Sequence, residues 1–325
     1  MGRSWAAALS ALGAACALGV AAAQQYPARP IRVVISVPPG GGSTEPLARI
    51  VGEEMQKTLG QPLLLEFKPG ASQRLGPEFV ARSAPDGYTL LVASSGQMTI
   101  FPSSYAKLSY DPVRDFVPLM HGASFRLVLV VNPARTPARS VQEFVEYARR
   151  KGSVSVGSFS AGGAGHFGQV LFARETGIAP LHVPYKGSAP LKVDLLGGQI
   201  DAAFDIDSSV AALAREGRLR VLAQSGTGRS PGLPDVATFR EQGVGQLDMT
   251  LWLGFFAPAA TPPEVVALLV RELQRAIAVP EVRARLSAAG MEPTGGTPEA
   301  FAEIIRRDTE VWGRAVRASG FRADE

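Results

Sequence analysis

Two glycine-rich segments in this chain each follow a β-branched apolar run and lead into a helical pattern, an arrangement that favours anions. The first runs from Ile31 to Val37, then Pro38, Pro39, Gly40, Gly41 and Gly42. Ser43 and Thr44 follow, opening a stretch in which Leu47, Ile50, Val51 and Leu59 recur at helical spacing. The first N–H groups of a helix have no intrahelical partner and lie at the positive end of its dipole, so they attract negative charge. Glycines let a ligand approach the backbone, Ser43 or Thr44 suits the cap, and Pro46 is tolerated in the first turn. A tight strand-to-helix turn with no ligand has the same pattern.

The second segment follows Ser153 to Ser158 and reads Phe159-Ser160-Ala161-Gly162-Gly163-Ala164-Gly165-His166-Phe167-Gly168. Gly163, Gly165 and Gly168 satisfy the dinucleotide spacing G-x-G-x-x-G, which also requires an acidic residue about 20 positions on to hold a ribose hydroxyl. Here the next strand ends in Pro184-Tyr185-Lys186-Gly187 with no acid, so a second solute-facing loop explains the glycines better. No cofactor is expected.

Other chemistry finds little support. No G-x-S-x-G nucleophile elbow occurs, and Ser94-Ser95-Gly96 and Ser158-Phe159-Ser160 lack its flanking glycines. His121, His166 and His182 are too scattered for local zinc spacing. His166 stands at a helix start, where it is either structural or within reach of a ligand. Asp205 and Asp207 follow the run Ile200 to Phe204, at the strand end where open α/β sheets bind ligands. They suit acid–base work, a metal, a ligand's amino group, or capping of the helix at Ser208 and Ser209. Trp252, Phe255 and Phe256 read as core.

The elements that must position these groups alternate along 325 residues, enough for two α/β domains. Further strands are expected at Leu63 to Phe67, Thr89 to Ser94, Leu127 to Val131, Leu181 to Tyr185, Leu219 to Ala223 and Leu251 to Ala257. Gly60, Gly177 and Gly217 each close a helical stretch. Changes of domain are expected around His121 to Ser124 and around Gln224 to Gly232, and Pro262 to Gly320 is nearly all helical.

Residues 1–23 form a leader pattern: Arg3, an Ala-rich run from Ala6 to Val20, and Ala21-Ala22-Ala23, with cleavage expected before Gln24. Cys16, the single cysteine, falls inside it, so the mature chain is expected to be a thiol-free protein of an oxidising exterior compartment. Without Arg3 the chain has 32 basic and 29 acidic residues, scattered without aromatic interleaving, which argues against a nucleic-acid partner.

A collinear set of segments resembles the tripartite tricarboxylate transporter receptor family, the Bug family of periplasmic solute-binding proteins. Its carriers include Tyr26-Pro27-Ala28-Arg29-Pro30-Ile31, Val37 to Gly42, Ala84-Pro85-Asp86-Gly87-Tyr88-Thr89-Leu90, Tyr110-Asp111-Pro112, His182 to Gly187, Asp194-Leu195-Leu196-Gly197-Gly198-Gln199, Arg229 to Val236 and Ala257 to Pro263. The resemblance implies a type II periplasmic-binding-protein fold, with two Rossmann-like α/β lobes around a ligand cleft. One lobe is expected from residues 24–124 plus 225–325 and the other from 125–224. It implies a non-enzymatic, monomeric receptor that closes on a small organic acid and serves the membrane subunits of a transporter, or alternatively a sensor kinase.

Carried over by position, the ligand's carboxylate is expected at Pro39, Gly40, Gly41, Gly42, Ser43 and Thr44 and at Ser158, Phe159, Gly162 and Gly163. Ser94 and Ser95 lie near the cleft, and Asp205 faces the distal part of the ligand. The chain departs from the family where Glu45 replaces an Asp. It departs again at Ala71-Ser72-Gln73-Arg74, which replaces a glycine-rich stretch, and where Gly163 and Ala164 replace Ser or Thr. Arg74 offers a bidentate carboxylate contact in exchange.

Overall fold

The computed structural model describes residues 26–40 and 42–323. The expected leader with Cys16 and the Gln24 cleavage point, and the site candidate Gly41, lie outside the described residues.

Strands that are apolar at every position must be buried on both faces, and here that produces two separate sheets. The first contains β1 (Ile31–Ile35), β2 (Leu63–Phe67), β3 (Thr89–Ser94), β4 (Phe116–Phe125), β10 (Leu251–Pro258) and β11 (Glu292–Pro293), in the order β11-β4-β10-β3-β1-β2. The second contains β5 (Leu127–Val131), β6 (Ser155–Ser158), β7 (Leu181–Pro184), β8 (Ala202–Ile206) and β9 (Arg220–Gln224), in the order β7-β6-β8-β5-β9. Alternation divides the side chains: Ile31, Val33 and Ile35 enter one core cluster while Val34 enters another, as do Leu90 and Val92 against Leu91 and Ala93.

Helices cover both sheets. On the first lie α1 (Thr44–Leu59), α2 (Leu75–Ala81), α3 (Phe101–Ser104), α8 (Pro263–Ala278), α9 (Pro280–Ala288) and α10 (Pro298–Ser319); α4 (Val141–Lys151), α5 (Ala164–Thr176), α6 (Ser188–Gly197) and α7 (Asp207–Arg215) cover the second. Gly60 and Gly177 end α1 and α5 in the left-handed conformation, as their positions predict. The two-lobed α/β fold matches the expected class.

The crossing points orient the lobes. β1, β2 and β3 are parallel, and β4 runs the same way because both β3 and β4 pair antiparallel with β10. The chain leaves the first sheet at the carboxyl end of β4 and enters the second at Leu127, which lies opposite Ile206 at the carboxyl end of β8. β6, β7 and β8 are mutually parallel. Both sheets therefore present the carboxyl ends of their parallel strands, and the turns after them, toward the crossing.

One expectation is sharpened and another changes. Residues His121 to Ser124 lie within β4, a ten-residue strand paired with β10 through two register shifts, and the chain crosses to the second sheet just after them, between Phe125 and Leu127. Residues 225–250, expected in the first lobe, pack on the second sheet. Phe239 stacks against Phe204 with centroids 6.0 Å apart, Thr238 bridges Gln224, and Gln242 bonds to Val141 and Gln142 of α4. The return to the first sheet falls near Thr250. The C-terminal helix α10 likewise touches both lobes, packing on β4 and α3 and also on α5.

β10 meets α10 closely. The Trp252 indole N–H donates to the buried Asp308 carboxylate at 2.8 Å, and Gly254 leaves room for the Phe301 ring. A Cβ at Gly254 would lie 2.2 Å from Phe301 and 3.1 Å from the Met120 carbonyl. Gly254→Ala is expected to lower stability by about 2 kcal/mol, read as a lower urea midpoint at unchanged slope. Gly228→Ala, which faces open space, should leave the midpoint in place.

Candidate functional site

The turn after β1 enters α1 at Ser43, the N-cap residue, whose side chain makes no capping bond. The Glu45 side chain reaches back to the loop ahead of the helix: its carboxylate accepts the Gly40 N–H at 2.8 Å and pairs with Arg49 at 2.6 Å. The Gly40 N–H and Arg49 hold the Glu45 carboxyl below its usual range. The loop thus already binds one carboxylate, supplied by the chain itself. The N–H groups of Thr44 and Glu45, in the first turn of α1, have no carbonyl in reach within the helix. Gly40 and Gly42 adopt φ of +72° and +132°, which favours glycine at both positions.

Behind this loop, Gln97 ties three elements together. Its carbonyl oxygen accepts the Ser94 N–H at 2.8 Å, and its amide donates to Ser36 Oγ and to the Gln73 carbonyl, each at 2.8 Å. Gln97 is buried, and so is Ser95, while Ser94 is half-buried. The Gln73 contact anchors an unusual segment: Ala71, Ser72 and Gln73 all have positive φ, of 45°, 52° and 72°. Left-handed conformation in three successive non-glycine residues costs roughly 1–2 kcal/mol each, which the surrounding bonds must offset.

Arg74 follows directly. Its Nε donates to the Ala71 carbonyl at 2.9 Å and its guanidinium lies 4.2 Å from the centre of the Tyr105 ring. It lines a recess with Glu78, Lys107, Leu108 and Ser109, and none of the glycine-loop residues contributes to that recess.

On the second sheet, Ser158 ends β6 and is fully buried. Its hydroxyl bonds to the Ser160 carbonyl at 3.0 Å and to His182 Nε2 at 2.8 Å. Phe159 is half-buried, and the turn continues to Gly162 at φ +65° and to Gly163, the N-cap of α5. A Cβ at Gly163 would fall 2.1 Å from Ser160 Oγ. A side chain at position 163 would therefore collide with the Ser160 hydroxyl unless that hydroxyl moved. His166 Nδ1 accepts the Gly162 N–H at 3.2 Å, and burial pushes the His166 pKa down to about 4.

Asp205 is fully buried. It accepts from the hydroxyls of Ser188 and Ser209 and from the Ile206 N–H, so three donors already occupy its carboxylate, and burial raises its pKa. These bonds join the starts of α6 and α7 and give Asp205 a bracing role in this structure. Asp207 accepts from the Ser208 N–H at 2.8 Å, sits beside Arg126, and is pushed up to about 6 by burial.

Sequence alone gave no sign of Gln97 or Phe321. Gln97 lies three residues past a strand end, and Phe321 reaches the second loop from the far end of the chain, packing against Gly162 and edge-on to His166 at 4.8 Å. Gln97→Ala is expected to cost about 2–4 kcal/mol in urea unfolding, because it strands the half-buried Ser94 N–H and the buried Ser36 hydroxyl. A loss under 0.5 kcal/mol would show that water replaces the amide readily.

Residues 47–321 match the model of the tripartite tricarboxylate transporter family receptor. The chain is 34% identical over 307 residues to the protein BugT of Bordetella pertussis, covering 93% of this chain and 94% of that one. It is also 34% identical over 293 residues to a UPF0065 protein from the tcbD–tcbE intergenic region of Pseudomonas sp. strain P51, covering 90% and 86%. Among solved structures, Rpa4515 of R. palustris with adipate superposes with a TM-score of 0.82 at 29% identity, covering 91% of this chain and 99% of that chain. MatC of Rhodopseudomonas palustris with bound malate gives a TM-score of 0.77 at 30% identity, covering 90% and 100%. The periplasmic binding protein BugD gives 0.79 at 30% identity, covering 92% and 100%. With this coverage, and with two glycine loops at facing sheet ends, the chain belongs to the tripartite tricarboxylate transporter receptor family of periplasmic solute-binding proteins.

Proposed function

We propose that this protein captures a small organic acid in the periplasm, after loss of its leader, and delivers it to the membrane subunits of a tripartite tricarboxylate-type transporter. One observation carries this reading: the Gly40 N–H of the first loop holds a carboxylate, that of Glu45, in a turn whose helix start has further donors. The adipate of Rpa4515 and the malate of MatC make dicarboxylates the first class to test. One ligand carboxylate would lie between the turns 39–44 and 158–163, and closing the lobes about the two chain crossings would enclose it.

Specificity for the rest of the ligand falls to the neighbours of these loops. Glu45 places a fixed negative charge beside the first turn, which disfavours a second ligand carboxylate there. Asp205 is committed to Ser188, Ser209 and Ile206, so it acts through the shape of the α6 and α7 starts, or through intervening water. The acids that suggested acid–base chemistry are thus engaged in bracing, which favours a receptor over a catalyst.

Thermal unfolding tests the proposal. A bound acid at about 100-fold above its Kd should stabilise the native state by about 2.7 kcal/mol, and malate, adipate and dicarboxylates of intermediate length form the initial panel. Gly41→Asp should abolish the shift, because its carboxylate would repel the ligand's own between Gly40 and Gly42. A wider panel of organic, amino and aromatic acids without any shift would remove the case for carboxylate capture.

A further inference from the structure

The two histidines nearest the second loop lie one on the other, His166 from the first turn of α5 and His182 from β7. Their ring centres are 4.1 Å apart and their planes differ by 6°. Each ring holds one end of the same turn. His166 Nδ1 accepts the Gly162 N–H at 3.2 Å, and His182 Nε2 meets Ser158 Oγ at 2.8 Å. Ser158 has a single hydroxyl proton, which it gives to the Ser160 carbonyl. The His182 bond therefore requires the proton on Nε2 of that ring, and the His166 bond requires a bare Nδ1. Phe321 closes the far side of His166 edge-on, 4.8 Å away, and fills the space beside Gly162.

This pattern needs an unprotonated His166. A proton on its Nδ1 would face the Gly162 N–H donor to donor, and an imidazolium would lie stacked on its neighbour. The elements packed here offer no compensation among the described residues. His182 is the one ionisable group that bears on His166, and burial alone acts on His182. Arg174 and Glu175 of α5, Lys186 after β7, and Arg314, Arg317 and Arg322 at the end of the chain perturb neither ring.

We propose that His166 and His182, capped by Phe321, are positioning residues: a neutral imidazole pair that sets the Ser158–Gly162 turn for carboxylate capture and releases it on protonation. The proposal rests on the carboxylate reading of that turn. Burial lowers both pKa values, that of His166 to about 4, so the native state prefers the neutral pair. The sign follows: the turn is set at neutral pH, and its order and the capture it supports are lost as pH falls toward 4.

The test compares full-length mature protein with a double variant, His166→Asn and His182→Gln, whose amides keep the Nδ1 acceptor and the Nε2 donor but do not titrate. Calorimetric Kd values for malate and adipate are measured from pH 7.5 to 4.0; each acid protonates identically for both proteins and cancels in the ratio. The Kd ratio of wild type to variant, within about threefold of unity at pH 7.5, should rise by about twofold or more by pH 4.0, where half of His166 is protonated. His166→Phe keeps a stacked ring but no acceptor and should weaken binding about tenfold at pH 7.5. A ratio that stays flat with pH, or an unaltered His166→Phe, overturns the proposal. A readout without ligand separates this from failure of the carboxylate reading: in wild type the Gly162 amide resonance should titrate with the His166 ring. A Gly162 resonance indifferent to that protonation overturns the positioning role even if every acid binds.

Discussion

The passage Phe125–Arg126–Leu127 determines which ends of the two sheets meet. β4 delivers the chain at its carboxyl end, and Leu127 begins β5 opposite Ile206, the last residue of β8. From that single crossing, the turns after β1, β3, β6 and β8 must approach one another. Arg126 also ties the crossing to its surroundings, donating to Thr250 at the return of the chain and pairing with Glu292 of β11 at 3.0 Å. A pivot of the lobes has to move about this cluster.

Given facing strand ends, the chemistry of the site follows from backbone donors more than from side chains. A parallel sheet covered on both faces leaves few free polar groups inside, and the helix starts beyond its strands are where unpartnered N–H groups gather. The first turn is stabilised by its own carboxylate, from Glu45, and the second by imidazoles and hydroxyls. The two turns are therefore supported in different ways. The first has a charged brace of low pKa, and the second a neutral brace that burial keeps uncharged at pH 7.

Elements with local signals were legible in the sequence. β1, β3, β5 and β10 are apolar at nearly every position because both faces are covered, and Gly60 and Gly177 mark helix ends through their left-handed conformation. β4 was harder. His121-Gly122-Ala123-Ser124 resembles a break, yet Gly122 is the position where a Cβ would lie 2.9 Å from Leu47, and the strand tolerates its irregularities through bulges against β10. Residues 225–250 misled in another way. The Ser and Gly content of Gln224 to Gly232 suggests a change of domain there, whereas Phe239 commits the following residues to the second core through contacts with Phe172 and Phe204. The glycine loops were evident from composition and spacing. Gln97, Phe321 and the pairing of His166 with His182 were not, because each acts across a separation that only the folded chain closes.

The central claim is that a ligand's carboxylate takes the backbone donors of both turns at once. A crystal structure of the protein with malate or adipate tests this most directly. The account predicts one carboxylate within hydrogen-bond distance of N–H groups from residues 39–44 and from residues 158–163, with the lobes closed upon it. An acid bound to one lobe only, or in the recess beside Arg74, would contradict it.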